Sequence, residues 1–194
     1  TGHRPHRLRD TPALRREIDA LLAQLKREHA DKSLVVVSPL AEGADRIVAR
    51  MAMENHGYQL MVPLPLPWEL YATDFGDESR AEFAELLGKA ERYYELPLRF
   101  GTAESLATRI DGQPNPDRDR QYALVGAFLA EFCDDLIAVY DGQPAAGEGG
   151  TGQVVDWRSR KIEIPAEYDH RFLYSAAVER GKLHTVTSEV VTDV

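Results

Sequence analysis

The sequence predicts a Rossmann-like three-layer α/β domain with a mostly parallel sheet. Short continuous apolar runs are typical of strands that are buried on both faces, and amphipathic helical segments alternate with these runs. Strands that alternate with helices form βαβ units, which connect parallel strands by right-handed crossovers. In such sheets ligands bind beyond the carboxyl ends of the strands. The loops at that edge are therefore the candidate functional site.

Apolar residues at helical spacing predict a series of amphipathic helices. Thr11-Pro12 begins the first, because threonine is a favoured N-cap and proline suits the first helical position. Gly57 is placed to end the second helix as its C′ residue, and Asp77 is expected to cap the third. The predicted helices contain Leu14–Leu25, Ala44–Ala52, Phe83–Ala90, Tyr122–Phe132 and Gly152–Arg160.

Short apolar runs predict the strands, and two polar segments, Trp68–Gly76 and Gly112–Asp119, are predicted to be loops. The polar start at Thr1–Arg4 also has the character of a loop, and we expect it to follow a first strand. The predicted strands are Ser33–Val37, Leu60–Leu64, Tyr94–Phe100, Leu136–Tyr140 and His184–Val191.

Composition excludes several classes of protein. The 194 residues predict a single domain over positions 1–194, with a core of about residues 1–160 and a C-terminal extension over 161–194. A hydrophobic content of 43% argues against disorder, and no apolar run is long enough for a membrane span, so we expect a cytoplasmic protein. The net charge of −9 argues against nucleic-acid binding. The single cysteine, Cys133, excludes a disulfide framework, and we predict no cofactor and no metal.

The glycine-rich loop Asp141–Thr151 is the most distinctive candidate. Its residues 147–152 match G-x-G-x-x-G, but six residues separate them from the preceding strand, unlike a dinucleotide fingerprint. Glycines nevertheless let backbone amides approach a phosphate, and the following helix adds a partial positive charge. Asp141, Gly149, Gly150 and Thr151 are therefore candidate ligand-binding residues. The alternative is a surface loop that binds nothing.

Two further loops share that edge of the predicted sheet. In Ser38–Asp45, carboxylates can accept hydrogen bonds from a ribose or simply stabilise the helix dipole. In Gly2–His6, an arginine can hold a phosphate, or its charge can simply be solvated. Two histidines at i and i+3 lack a further metal ligand. The candidate residues in these loops are Gly2, His3, Arg4, Ser38, Glu42, Gly43 and Asp45.

Three other residues each have two possible roles. Cys133 ends an apolar helix and is expected to pack in the core rather than act as a nucleophile. Trp68 and Tyr71 suit either stacking on a base or packing in the core or in a lid.

Together the three loops resemble the SLOG superfamily, which joins the cytokinin-activating LOG enzymes to the DNA-processing protein DprA. Residues 38–45 are similar to the S-G-L-A-x-G-I-D element of DprA, with Pro39 in place of its glycine. Thr1–Arg4 resembles the first loop of the superfamily, and Gly149-Gly150-Thr151 resembles part of the LOG motif P-G-G-x-G-T-x-x-E. The resemblance covers about residues 1–160. It implies a nucleotide-like ligand at the carboxyl edge of the sheet.

The departures from the LOG motif bear on catalysis. The last residue of that motif is a glutamate that acts in hydrolysis of an N-glycosidic bond, and Val154 stands here instead. Asp156 lies roughly 200° further round the helix and is expected to face away from the ligand. Ligand-sensing members of the superfamily, which recognise ADP-ribose-like molecules, resemble this chain more closely. Members often pair, so the resemblance also implies that a homodimer is an option.

Three hypotheses follow. The first is a sensor domain that binds a nucleotide or an ADP-ribose-like molecule and has no catalytic residues. The second is a nucleotide N-glycosidase, a phosphoribohydrolase in which Glu148, Glu42 or Asp45 serves as acid or base. The third, a nicotinamide-dependent oxidoreductase, requires a fingerprint after the first strand that the chain lacks.

Overall fold

The computed structural model describes residues 1–110, 113–145, 147–169 and 181–189. The helices are α1 (Pro12–Glu28), α2 (Ala44–His56), α3 (Trp68–Tyr71), α4 (Asp77–Gly88), α5 (Ala103–Ala107), α6 (Pro116–Phe132) and α7 (Thr151–Arg158). The strands are β1 (Val35–Val37), β2 (Gln59–Leu64), β3 (Arg92–Glu95), β4 (Arg109–Ile110), β5 (Gln113–Pro114), β6 (Leu136–Tyr140) and β7 (Leu183–Thr187). Two 3₁₀ turns cover Ala72–Asp74 and Ala166–Tyr168.

The strands form two parallel sheets and one short hairpin. β1, β2 and β3 are parallel neighbours in that order, and β6 pairs in parallel with β7. β4 and β5 pair in an antiparallel hairpin. Helices cover both faces of the parallel strands, so the predicted Rossmann-like α/β fold is confirmed.

Two apolar layers separate the helices from the strands. On one face α1 and α2 pack against Val139 of β6 and Val186 of β7. On the other face α6 and α7 pack together with Leu136 of β6, Leu96 and Tyr168. A third cluster joins β2 to α4 and to the segment around Tyr71.

The chain forms the two parallel sheets in turn. Residues 1–3 extend along β6, because Gly2 forms a parallel bridge to Val139. From there the chain passes through α1 to β1, β2 and β3 in one direction, and then returns through α6 to β6. Open α/β sheets hold ligands beyond the carboxyl ends of their strands, and the loop after Gly2 begins at that end of β6.

Local signals for the helix ends are mostly confirmed. Thr11 caps α1, because its side chain accepts a hydrogen bond from the Leu14 amide, and Gly57 ends α2 in the left-handed region at φ 70°. The prediction for Asp77 is off by one residue, since Gly76 is the N-cap of α4. α6 begins at Pro116, within the segment predicted to be a loop, and Asn115 caps it.

Several other boundaries differ from prediction. The loop predicted at Trp68–Gly76 contains α3 and a 3₁₀ turn. The strand predicted at Tyr94–Phe100 lies earlier, at Arg92–Glu95. The strand predicted at His184–Val191 is observed at Leu183–Thr187, and the end of that range lies outside the described residues, as does Gly112. Within the described ranges, no helix has the length and apolar character to cross a membrane.

Candidate functional site

The three candidate loops meet around one cavity of about 350 Å³ at the carboxyl end of β6. Ligand pockets in proteins span about 300–1,000 Å³, so this volume lies at the lower end of that range. Residues from α6 complete the wall. The lining that bears on the argument comprises Gly2, His3, Arg4, Arg7, Asp45, Tyr71, Asp119, Tyr122, Gly126, Glu148, Gly149, Gly150, Thr151, Gly152 and Val154.

The first loop is fixed by backbone hydrogen bonds to β6 and α2. The His3 amide donates to the Val139 carbonyl at 3.0 Å, and the Val139 amide donates to the Thr1 carbonyl at the same distance. The His3 carbonyl accepts the first free amide of α2, that of Ala44, at 3.1 Å. Because both partners are regular elements, Arg4 leaves this loop from a defined position.

Gly43 lets the second loop approach the first. Its φ of 92° lies in a region that side chains rarely adopt, and a Cβ here would lie 2.4 Å from the His3 carbonyl oxygen. Gly43 is therefore required by the contact between the loops and does not line the cavity.

A buried polar cluster ties the first loop to the third. Arg7 Nη2 donates to Asp141 Oδ2 at 2.7 Å, and His3 Nε2 lies 3.4 Å from Asp141 Oδ1. Burial tends to raise the pKa of Asp141, but the Gln143 amide, His3 and Arg7 together hold that pKa below its usual value. Asp141 was predicted to bind ligand, yet it is outside the cavity lining. Its contacts hold the two loops together.

Ser38 also serves the loop structure. Its hydroxyl accepts the Leu40 amide at 3.1 Å, where Leu40 has a positive φ of 56°. Arg46, which is buried, donates from Nε to the Leu40 carbonyl at 2.9 Å and so holds the same turn from the other side. Ser38 and Glu42 do not line the 350 Å³ cavity.

Asp45 does reach the cavity, from the first turn of α2. Its side chain is buried, and its Oδ1 lies 3.8 Å from the Thr1 nitrogen. That oxygen has no hydrogen-bond partner within the part of the chain that the structure describes. A buried carboxylate oxygen without a donor is costly, so a ligand hydroxyl at this point would be stabilised.

The third loop places the N-terminus of α7 at the cavity. Gly149 has a φ of 75°, and a Cβ there would lie 2.8 Å from the Ala123 amide nitrogen of α6. Its own amide donates to the side chain of Gln153, which holds the turn against the helix. Thr151 and Gly152 line the cavity at the start of α7, and their amides have no acceptor in the part of the chain that the structure describes.

Arg4 supplies an unpaired positive charge to this cavity. Its half-buried side chain has no ion pair or hydrogen bond to any residue that the structure describes. The positive charge of Arg4 acts to lower the pKa of the Asp74 carboxyl. Burial of Asp74 has the larger effect, so the Asp74 pKa is raised. The guanidinium is therefore available to an anion.

Two carboxylates line the cavity near one another. Burial and the charge of Glu148 raise the pKa of Asp119, which lies in the first turns of α6. Glu148 accepts a hydrogen bond from the hydroxyl of Tyr168, a buried residue. The cavity therefore combines an arginine and helix amides with carboxylate acceptors.

α7 presents an apolar residue at the position that the resemblance to the LOG motif would assign to a glutamate. Val154 is buried and lines the cavity. Asp156 is outside the lining, and its Oδ1 lies 3.4 Å from Lys161 Nζ. The expectation that Asp156 points elsewhere agrees with this geometry.

Seven of the eleven predicted binding residues line the cavity, and four do not. Gly2, His3, Arg4, Asp45, Gly149, Gly150 and Thr151 line the cavity, whereas Ser38, Glu42, Gly43 and Asp141 do not. Sequence reasoning missed Asp119, Tyr122 and Gly126, which follow one another at i, i+3 and i+7 on a single face of α6. That spacing, with a small residue where the helix approaches Val154, was the available signal.

The remaining candidates lie away from the cavity or in the core. Burial raises the pKa of the Cys133 thiol to about 11, and the side chain packs beside α6. Trp68 is 37% exposed and does not line the cavity. Tyr71 is buried against Phe75 and Phe83, and it also forms part of the cavity wall. No cluster of metal ligands occurs among the described residues.

Two comparisons with known proteins found no match. No protein-family model matches this chain, and no curated protein matches it either. What the structure establishes is the class, a Rossmann-like α/β protein with parallel sheets.

Proposed function

We propose that this protein is a sensor that binds a nucleotide or a nucleotide-derived molecule, such as ADP-ribose, in the 350 Å³ cavity. The observation that carries the proposal is Arg4, a half-buried guanidinium without a partner among the described residues, on the same cavity as the first turn of α7. A net charge of −9 would otherwise repel an anion, so local positive charge is required.

The phosphate would bind between Arg4 and the amides of Thr151 and Gly152. Helix N-termini bind anions because their first amides are unpaired and the helix dipole is positive there. A guanidinium adds a charge-assisted pair of hydrogen bonds with defined geometry. Gly150 is the N-cap of this helix, and a Cβ there would lie 3.0 Å from the Ala145 Cβ, so the turn has little room for a larger residue.

The sugar hydroxyls would bind the carboxylates. Asp45 has a buried oxygen without a donor in the described chain, and Asp119 presents an exposed carboxyl at the same cavity. Carboxylates accept hydrogen bonds from hydroxyl groups, so a ribose would give the Asp45 oxygen a partner and could also donate to Asp119. Of the two tyrosines in this wall, Tyr122, whose hydroxyl donates to Asp74, is less buried than Tyr71.

A binding role fits the chain better than hydrolysis does. Val154 occupies the position from which the resemblance to LOG enzymes would place a catalytic glutamate, and it brings no carboxylate to the cavity. A sensor needs the phosphate contacts and the hydroxyl acceptors but no general base.

Titration calorimetry with AMP, ADP-ribose, NAD and cyclic ADP-ribose tests this function. We expect at least one of them to bind, and Arg4→Ala to weaken that binding by at least about tenfold, because a hydrogen bond to a charged group contributes about 1.5–3 kcal/mol. Arg9→Ala is the matched control, since Arg9 is exposed and pairs with Glu189 at 3.5 Å. Absence of binding by all four compounds, or equal affinity in Arg4→Ala and wild type, would refute the proposal.

A nucleotide N-glycosidase is the second candidate, and one observation favours it. Glu148 and Asp119 both line the cavity, and the raised pKa of Asp119 is a property of general acids. Incubation with AMP and detection of ribose 5-phosphate distinguishes the two functions. If wild type forms ribose 5-phosphate and Asp119→Asn does not, the protein is an enzyme and the sensor proposal is wrong.

A further inference from the structure

We propose that the slot between β1 and β6 holds one more parallel strand, formed by residues that run into Thr1 from its N-terminal side. This slot is a second cavity, of about 710 Å³. Most of its lining residues are not part of the candidate site, although both cavities include Thr1, Asp45 and Leu129. The inference concerns the sheet and does not depend on the proposed function.

The backbone of β1 offers one free edge toward the slot. The Ser38 amide donates to the Met61 carbonyl, and the Gln59 amide donates to the Leu34 carbonyl, so residues 34, 36 and 38 face β2. By the alternation of a parallel ladder, Val35 and Val37 present their amides and carbonyls to the other side. No strand in the described ranges pairs with that side of β1.

β6 offers the opposite edge, and Gly2 already pairs with this edge in parallel at Val139. Leu136 and Tyr140 bond to the β7 side, so Ile137 and Val139 face the slot. The Val139 amide donates to the Thr1 carbonyl, and the Thr1 nitrogen donates to the Ile137 carbonyl at 3.0 Å. An ordinary peptide amide at Thr1 would make that same bond. The next bond of the ladder would run from the Ile137 amide to the second residue before Thr1.

The register of this ladder fixes where the strand would lie. Gly2 pairs with Val139, so the four residues before Thr1 would lie beside Ile137, Leu136, Asp135 and Asp134 in turn. This places them along the length of the slot, which Asp134, Asp135 and Gly181 line at its far end.

The walls of the slot define the chemistry of the strand. Leu22, Leu25 and Val48 line it from α1 and α2, on one face of the sheet. Leu129, Phe132 and Cys133 line it from α6, on the other face. Both faces of the strand would meet apolar side chains, so the residues that fit are a continuous apolar run, as in central strands of parallel sheets.

A covalently continuous strand fits this slot better than a separate one. The Thr1 nitrogen occupies the ladder position at which any inserted strand must enter, and a strand from another molecule would have to end against it. The inserted strand would be followed by α1 and β1, which gives a parallel crossover of the usual kind. The resulting order, β3-β2-β1-inserted strand-β6-β7, would make one continuous parallel sheet.

Extending the 194-residue chain at its N-terminus tests the inference. We expect Met-Val-Ile-Val-Val placed directly before Thr1 to raise the thermal midpoint by at least about 5 °C relative to Met-Ser-Pro-Ser-Pro, since prolines cannot donate to a ladder. A second extension, Met-Thr-Val-Thr-Val, keeps the strand propensity and lowers the risk of aggregation. Hydrogen exchange supplies a second readout, in which the Val35, Val37 and Ile137 amides should exchange at least about tenfold more slowly in the apolar extension.

Three results would overturn the inference. The first is an equal midpoint and equal amide exchange in the apolar and proline extensions. The second is stabilisation by a free peptide of the same apolar sequence in trans that equals the effect of the covalent extension. The third is a dimer of the unextended chain, seen by light scattering, that persists when the apolar extension is added, because a second copy would then fill the slot.

Discussion

His3 is a buried histidine whose ring contacts two polar groups from distant parts of the chain. Its Nδ1 lies 3.3 Å from the Ser188 hydroxyl, and its Nε2 lies 3.4 Å from Asp141. Burial lowers the pKa of His3 below 6.5, and this effect exceeds the opposite effect of the Asp141 carboxylate. The folded protein therefore holds a neutral His3 at a pH where the unfolded chain begins to bind a proton.

This pKa shift predicts that stability falls as the pH drops below about 6.5. Between the folded and unfolded pKa values of His3 the unfolded state binds more protons, so the free energy of unfolding rises with pH in that window. Urea unfolding at pH 7.5 and 5.5 measures the difference. We expect His3→Gln to reduce the loss seen in wild type, and His6→Gln, at an exposed position, to retain it. An unchanged loss in His3→Gln would contradict the assignment.

For single residues, the chemical type of the side chain predicted only part of the site. Arg4 and Thr151 lie in the cavity as their chemistry suggested, whereas Asp141 and Ser38 bond to the loops themselves. A carboxylate at the end of a strand suits a ligand and a loop contact equally well. Only the position of Arg7, 134 residues away along the chain, decides between these roles for Asp141.

Among the helices, α6 begins earlier than predicted because its first buried residues are polar. Residues 116–119 belong to the segment predicted to be a loop, yet Arg118 and the nearby Gln121 are buried in α6. Arg118 donates to the Leu106 and Leu70 carbonyls and to Asp74, and Gln121 donates to the Pro65 and Pro97 carbonyls. These acceptors come from other parts of the fold, so hydrophobic periodicity cannot report them.

α1 was predicted correctly because its signals are local. The Leu14 amide donates to the Thr11 hydroxyl at 3.1 Å, and Pro12 occupies the start of the helix. We expect Thr11→Ala to lower the free energy of unfolding by about 1 kcal/mol, because an N-terminal amide then lacks its acceptor. Thr11→Ser keeps the oxygen and should retain most of that stability in urea unfolding. Equal losses in the two variants would mean that the hydroxyl is not the stabilising group.

For the whole molecule, the C-terminal strand β7 joins distant parts of the chain. It pairs with β6 along all five of its residues, and Val186 is buried against the α1 and α2 layer. Beyond it, the Ser188 amide donates to the Tyr140 carbonyl and the Ser188 hydroxyl meets His3. Residues 183–188 therefore contribute to the sheet and help to hold the first loop.

Substitution in β7 tests that contribution. We expect Val186→Ala to lower the free energy of unfolding by about 2 kcal/mol, since it removes two buried methyl groups and leaves a cavity. Thr185→Ala, at the exposed neighbouring position, should change it by less than about 0.5 kcal/mol. Urea unfolding measures both. A Val186→Ala value as small as that of Thr185→Ala would show that β7 does not stabilise the fold.

By itself the sequence determined the alternation of strands and helices and the positions of the candidate loops, because periodicity and turn residues act over a few positions. The tertiary structure alone decided which of those loop residues reach the cavity, and it brought in Asp119 and Tyr122 from α6. It also paired β6 with β7 across the end of the chain. These outcomes depend on the order of strands in the sheet, which sets distances between residues far apart in sequence and leaves no local pattern to read.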